Sequence, residues 1–191
     1  IFNTYKVRKI ITTCPHGYNT SKNEYGQLGG QYEVFHHTEL IARWIREGKL
    51  PLKNAVEGVC TYHDSCFLGR YNEVYEQPRD ILKAVPGVVL KEMPQNRMWS
   101  FCCGAGGGRM WLEETIGDRI NRKRTAEALT VNPKHIATAC PFCLIMLDDG
   151  VKDKGGEETV KTLDIAEIVA RSLADKSAPS RVEGPAAAPQ V

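Results

Sequence analysis

No apolar run in the chain approaches the ~20 residues that a membrane span requires, and the longest, Pro141 to Leu147, stops at Asp148. These residues alone therefore do not cross a bilayer. Charge of one sign is also missing: 25 Lys and Arg stand against 23 Asp and Glu, which gives no argument for nucleic acid or an acidic surface as partner. The start, Ile-Phe-Asn-Thr-Tyr-Lys, lacks an initiator Met and any basic-then-apolar leader, so a start inside a longer protein is expected. Nor is there the even cysteine count of a secreted disulfide framework. The seven cysteines stand at 14, 60, 66, 102, 103, 140 and 143, which favours a reducing compartment and metal or redox use of thiols.

The rest of the composition is that of a folded chain, with 42% hydrophobic and 25% charged residues over 191 positions, enough for one or two domains. β-Branched runs at 7–13, 32–35, 58–62, 88–92, 99–101 and 136–139 read as strands, most without polar alternation, as buried parallel strands do. Between them 38–47, 78–85, 109–129 and 165–173 carry helical spacing, for example Leu112, Ile116 and Ile120 on one face, with Gly117 a point of weakness. Alternation of the two makes an α/β fold with parallel sheets. Residues 176–191, rich in Ala, Pro and Ser, read as a disordered tail.

An internal repeat changes how the chain divides. Ile11-Thr-Thr-Cys14-Pro15 parallels Ala137-Thr-Ala-Cys140-Pro141, and Glu39-Leu-Ile-Ala-Arg43 parallels Glu167-Ile-Val-Ala-Arg171 in nearly the same register. The expected division is 1–55 as the second half of a first repeat truncated at its N-terminus, 56–175 as a complete second one, and 176–191 as tail.

The thiols fall where strands should end, and ligands of open parallel sheets gather at those carboxyl ends. Cys66, the Cys102-Cys103 doublet and Cys140-Pro-Phe-Cys143 are therefore expected to meet, with nearly equal arms on either side of the doublet. Neighbouring cysteines do not both ligate one ordinary ion easily, whereas two irons of a cluster offer separate attachment points. Gly104 and Gly106, in a stretch with four glycines in the five residues after the doublet, let the backbone approach an inorganic centre closely. Arg109 stands where a dinucleotide fingerprint needs its last glycine, and no Gly-Lys-Ser/Thr follows, which disfavours a nucleotide loop. Structural zinc and a dithiol at Cys140 and Cys143 remain as alternatives, although five thiols exceed what tetrahedral zinc uses.

Cys66, then Cys102-Cys103-Gly104, then Cys140-Pro-Phe-Cys143 resembles the cysteine-rich CCG domain of heterodisulfide reductases and their relatives, among them the iron-sulfur subunits of glycolate, lactate and anaerobic glycerol-3-phosphate oxidation. Tyr62-His-Asp-Ser-Cys-Phe-Leu-Gly-Arg-Tyr-Asn72 and Cys102 to Glu114 are most similar to the large membrane-associated members that take electrons from electron-transfer flavoprotein. The resemblance implies a noncubane 4Fe-4S cluster held by Cys66, Cys102, Cys103, Cys140 and Cys143, while the thiols themselves leave a structural zinc module that staples the half-domains and mediates assembly as the alternative. It implies a flavin donor such as electron-transfer flavoprotein, a quinone or thiol/disulfide acceptor, upstream domains of the same polypeptide, and a cytoplasmic location at the inner face of the membrane. Cys14 matches the penultimate cysteine of the preceding motif, where Gly17 replaces the final ligand, and Ser65 stands where relatives usually have Pro.

The remaining polar residues have blander readings beside functional ones. Cys60 is expected to be a buried apolar thiol. His63 is a candidate donor to a cluster sulfur or a proton relay. His36-His37 is expected to pack at a helix start, with ligation across the domain pair as the other reading, and His16 and His135 are expected in loops. Arg119, Arg122, Lys123 and Arg124 form a basic helix face for solvent or an acidic partner. Trp99, Met110 and Trp111 flank the doublet, with ordinary core packing as the default reading and exclusion of water from the site as the functional one. No general acid or base stands out.

Overall fold

The structure is a computed structural model that describes residues 1–115 and 117–173. Two parallel sheets share one core. The first pairs β1 (Lys9–Thr12) with β2 (Glu33–His36), Ile10 opposite Val34. The second runs β4 (Val88–Leu90), β3 (Gly58–Tyr62), β5 (His135–Thr138), β6 (Lys161–Asp164). Every pair is parallel, and central β5 is buried along its whole length.

Pleating sends alternate residues of β5 to opposite layers. Ile136 packs with Met93, Ala128, Leu147 and Val151, beneath α4 (Ile120–Leu129) and α5 (Pro141–Asp153). Ala137 faces a larger cluster with Ile81, Ile165 and Ile168, which come from α3 (Glu76–Ala84) and α6 (Ile165–Ser172). Tyr18 and Val34 of the first sheet's unit and Ala42 of α2 (His37–Arg46) belong to that same cluster. The segment between the sheets is tied down as well, since Lys53 and Asn54 donate backbone N–H groups to Ser172 O.

The order strand, Cys-Pro helix, strand, helix occurs twice, consistent with the repeat. In the first occurrence β1 leads through Cys14 into α1 (Pro15–Asn19), then β2 and α2. In the second β5 leads through Cys140 into α5, then β6 and α6. Both short turns place Pro in the first helical turn, where its missing N–H costs nothing. Both closing helices start alike: Glu39 accepts from His36 N at 2.9 Å, and Glu167 accepts from Asp164 N at 2.9 Å.

Several expectations need correction. Residues 99–101 are not a strand: Arg97–Trp99 is a 3₁₀ turn, and Ser100 donates its hydroxyl to Asp64 O instead of pairing in a ladder. The helix expected over 109–129 is two elements. A 3₁₀ segment, Gly106–Trp111, turns at Gly107 and Gly108, both at positive φ, and α4 begins only at Ile120. Leu112 therefore lies outside the helix, and Ile116 lies outside the described residues, as does the 176–191 tail. His16 is in α1 and His135 opens β5, so neither is a loop residue.

Candidate metal centre

Cys66 is carried by the turn after β3, where Leu68 and Gly69 donate to Ser65 O. Cys140 caps the start of α5 with extended backbone, and Cys143 follows one turn later, buried. The Cys102-Cys103 doublet arrives along the irregular stretch from β4. That stretch is held by polar side chains in place of a sheet. Asp64 accepts from Arg97 N at 2.7 Å and from both terminal nitrogens of Arg79, at 2.7 and 2.8 Å. Arg79 has no exposed surface, and its charge is matched by Asp64 and by Glu92, which accepts from Nε at 2.7 Å.

The sulfurs of Cys103 and Cys143 lie 3.3 Å apart and are not disulfide-bonded. Cys143 donates its thiol to Cys103 at that distance. Cys103 is held well below the ordinary thiol range, first by the Cys102 thiol and then by Cys143, with His63 adding a further donor. Cys140 is lowered by the Cys143 thiol, helped by the N–H groups of Phe142 and Cys143 at the helix start. Cys143 is correspondingly raised by Cys103 and Cys140. Cys66 is raised by burial, then by its nearness to Cys103 and Cys140. Cys103, Cys140 and Cys143 thus pack together, with Cys102 next to them in the chain and Cys66 close enough to feel Cys103 and Cys140, and Cys103 and Cys140 are pushed toward the thiolate form that binds metal.

Gly104 fits the doublet to α4. Its N–H lies 3.3 Å from Cys102 Sγ, its φ is 90°, and an added Cβ would meet Ile120 Cβ at 3.0 Å. Gly106 has nothing among the described residues within 4 Å of such a Cβ. Cys103, Cys140 and Cys143 pack against Ala105, Met146, Met110 and Phe142. Trp99 and Trp111 are not core residues, being 82% and 74% exposed, although Trp111 meets Phe142 edge-on at 6.5 Å. A cleft of about 180 Å³ opens beside the site between His16, Gly106, Gly107, Gly108, Trp111 and Phe142.

Cys14 lies 3.7 Å from His16 Nδ1. His16 bridges the two halves, its ring 4.4 Å from Phe67 and 5.6 Å from Phe142. His36 stays in the first unit, bonded to Thr38 and Thr13, whereas His37 Nε2 meets Asp164 Oδ1 at 3.1 Å. Cys60 is buried, its thiol pushed up to about 12 by desolvation.

Arg124 departs most from its reading as part of a solvated basic face, because it has no exposed surface. The exposed members are Arg122, paired with Asp153, and Lys123. Arg124 instead donates to His63, Ser100, Gln95 and Glu127. The sequence signal was the buried set Asn121, Arg124, Thr125 and Ala128, which has helical spacing but is mostly polar.

The donor set fits an iron-sulfur group better than an ordinary ion. Five sulfur donors would exceed a tetrahedral shell, adjacent Cys102 and Cys103 suit two metal atoms, and the buried Ser65 hydroxyl next to Cys66 has no partner among the described residues.

Residues 60–148 match the family model described as "Cysteine-rich domain", CCG. Over 172 residues, 90% of this chain and 24% of the relative, the sequence is 53% identical to the "Probable iron-sulfur-binding oxidoreductase FadF" of Bacillus subtilis (strain 168). It is 52% identical over 179 residues to the "EtfAB:quinone oxidoreductase" of Syntrophomonas wolfei, covering 90% of this chain and 25% of that protein. It is 32% identical over 169 residues to a subunit of the dihydromethanophenazine:CoB--CoM heterodisulfide reductase of Methanosarcina barkeri, covering 87% of this chain and 41% of that one. The chain therefore spans about a quarter of the length of the first two relatives.

Proposed function

Given that residues 60–148 match the cysteine-rich CCG family, we propose that this chain is an electron-transfer part of a larger iron-sulfur oxidoreductase. Cys66, Cys102, Cys103, Cys140 and Cys143 hold a 4Fe-4S cluster of the noncubane type. The observation that carries this is the convergence of the doublet and the closing pair, with Cys103 and Cys143 sulfurs 3.3 Å apart. When bound, the cluster supplies one-electron redox chemistry. The chain's own residues fix the sulfurs, donate the Gly104 N–H to Cys102, and bury the side toward Met110 and Met146.

The donor is a flavoprotein of the electron-transfer flavoprotein type, and the acceptor a quinone or a thiol/disulfide pair. The names of the Syntrophomonas and Methanosarcina relatives support these classes. Residues 1–55 act as the second half of a preceding CCG repeat and 56–175 as the complete one, supported by the twice-occurring element order. The odd count of seven cysteines supports a cytoplasmic location, at the membrane's inner face through upstream domains. Among the described residues no helix is long and apolar enough to cross a membrane.

Anaerobic purification of the longer native chain, with iron, zinc and sulfide analysis and paramagnetic resonance, tests the reading. About four irons and four sulfides at this site are expected, lost together in Cys66→Ser and Cys102→Ser. Zinc without sulfide, or a chain whose redox activity survives both substitutions, overturns it.

A further inference from the structure

A buried polar chain runs from Arg124 to His63, whose ring lies in one group with the Cys103 and Cys143 sulfurs, ligand atoms within 4.8 Å of one another. We infer that Arg124, acting through His63, fixes the direction of a hydrogen bond into the Cys103 sulfur and thereby raises the reduction potential of the group held there. This rests on the iron-sulfur reading above.

Arg124 Nε lies 3.0 Å from His63 Nδ1, and both side chains are buried. A guanidinium has no acceptor and keeps its protons, so His63 Nδ1 presents its lone pair and the ring proton sits on Nε2. Nε2–H is the donor left for Cys103, and the histidine shares a group with the Cys103 and Cys143 sulfurs whose ligand atoms all lie within 4.8 Å.

Neither partner is free to turn. Arg124 Nη1 donates to Gln95 O at 2.9 Å and to Glu127 Oε2 at 2.6 Å, and Nη2 donates to Ser100 Oγ at 3.1 Å. His63 N donates to Ala137 O at 2.9 Å, which extends the β3–β5 pairing by one residue. The site's histidine is thus locked at its backbone by the sheet and at its ring by a residue 61 positions away.

A donor facing a sulfur ligand stabilises the more negative, reduced state more than the oxidised one. One electron arrives from the reduced flavin donor, and His63 makes and breaks no covalent bond. Arg124 is a positioning residue because it touches His63 and not the sulfurs.

The test is a redox titration at fixed pH of the anaerobically purified longer chain, with iron content and paramagnetic resonance spectra measured beside it. His63→Leu is expected to keep its iron and to lower the reduced-to-oxidised ratio about tenfold at a given poise, which is about 59 mV for a one-electron couple. His63→Gln restores the potential, since the amide accepts from Arg124 and donates onward. Arg124→Leu lowers the potential, and the double variant His63→Leu/Arg124→Leu lowers it no further than His63→Leu alone. Exposed Arg122→Ala leaves it unchanged.

If His63→Leu loses iron, Arg124→Leu decides. A lowered potential with iron retained supports the inference, while an unchanged one overturns it. Additive effects of the two residues, or iron loss from all His63 and Arg124 variants, overturn it as well. Wild-type protein without iron overturns both this inference and the reading it rests on, whereas iron-loaded variants with wild-type potentials overturn this inference alone.

Discussion

His37 Nε2, on the first residue of α2, lies 3.1 Å from Asp164 Oδ1, the residue that caps α6, so the two equivalent helix starts are joined to each other. Asp164 Oδ1 also accepts from Ala166 N at 2.8 Å. One carboxylate thus serves a cap and the junction between the two units.

Asp164→Ala is therefore expected to cost about 1–2 kcal/mol, the upper part of the range for a lost cap, because the junction goes with it. Asp164→Asn keeps a cap acceptor and is expected to lose less. Urea unfolding of the two variants against wild type measures both.

Acid should destabilise the chain partly through His36. Burial and the neighbouring His37 depress its pKa from 6.5 to about 3. The unfolded chain takes up the proton first, so this contribution is complete above about pH 6.5 and is lost as pH falls toward 3, by at most about 1.4 kcal/mol per pH unit. Stability measured at pH 6.5, 5.5 and 4.5 should fall less steeply in His36→Asn than in wild type.

Removing Arg79 leaves Asp64 buried with an unbalanced charge. Arg79→Met is expected to destabilise by about 3–5 kcal/mol. The Arg97–Ser100 stretch, which Asp64 holds through Arg97 N and its own backbone carbonyl, should loosen with it. Amide hydrogen exchange over residues 94–103 reads the second effect separately from the global loss.

The two glycines after the doublet should respond differently. Gly104→Ala meets Ile120 and Asn121 N at a backbone φ of 90°, so iron content at the five-cysteine site is expected to fall. Gly106→Ala meets nothing among the described residues and is expected to stay within about 0.5 kcal/mol of wild type with normal iron. Iron per chain and urea midpoints check the contrast.

Much of this architecture was readable because local rules and long-range demands agree. Gly58–Tyr62 is β-branched and bounded by glycine, and it forms the strand with those limits. Cys140-Pro141 reads as the start of a helix, and α5 begins there. The reading failed where distant polar partners decide. Trp99 to Phe101 has strand composition, yet Arg97 at φ 51° and the ties from Asp64 and Arg124 hold that stretch out of a ladder. Arg124 sits in a basic run that reads as solvated, and only contact with His63, Ser100, Gln95 and Glu127 accounts for its burial. His63 was visible as a neighbour of Cys66, but the residue that fixes its ring lies on a separate helix.

Cys66 and Cys102 keep part of their surface in solvent, while Cys103, Cys140 and Cys143 are enclosed. Dissolved oxygen, peroxide or an alkylating reagent consequently meets one rim before the interior, and damage proceeds inward from there. Ageing of the protein in air should be graded: the rim sulfurs are consumed first, and the order of modification, followed by mass, becomes a clock for how long the assembly has been failing.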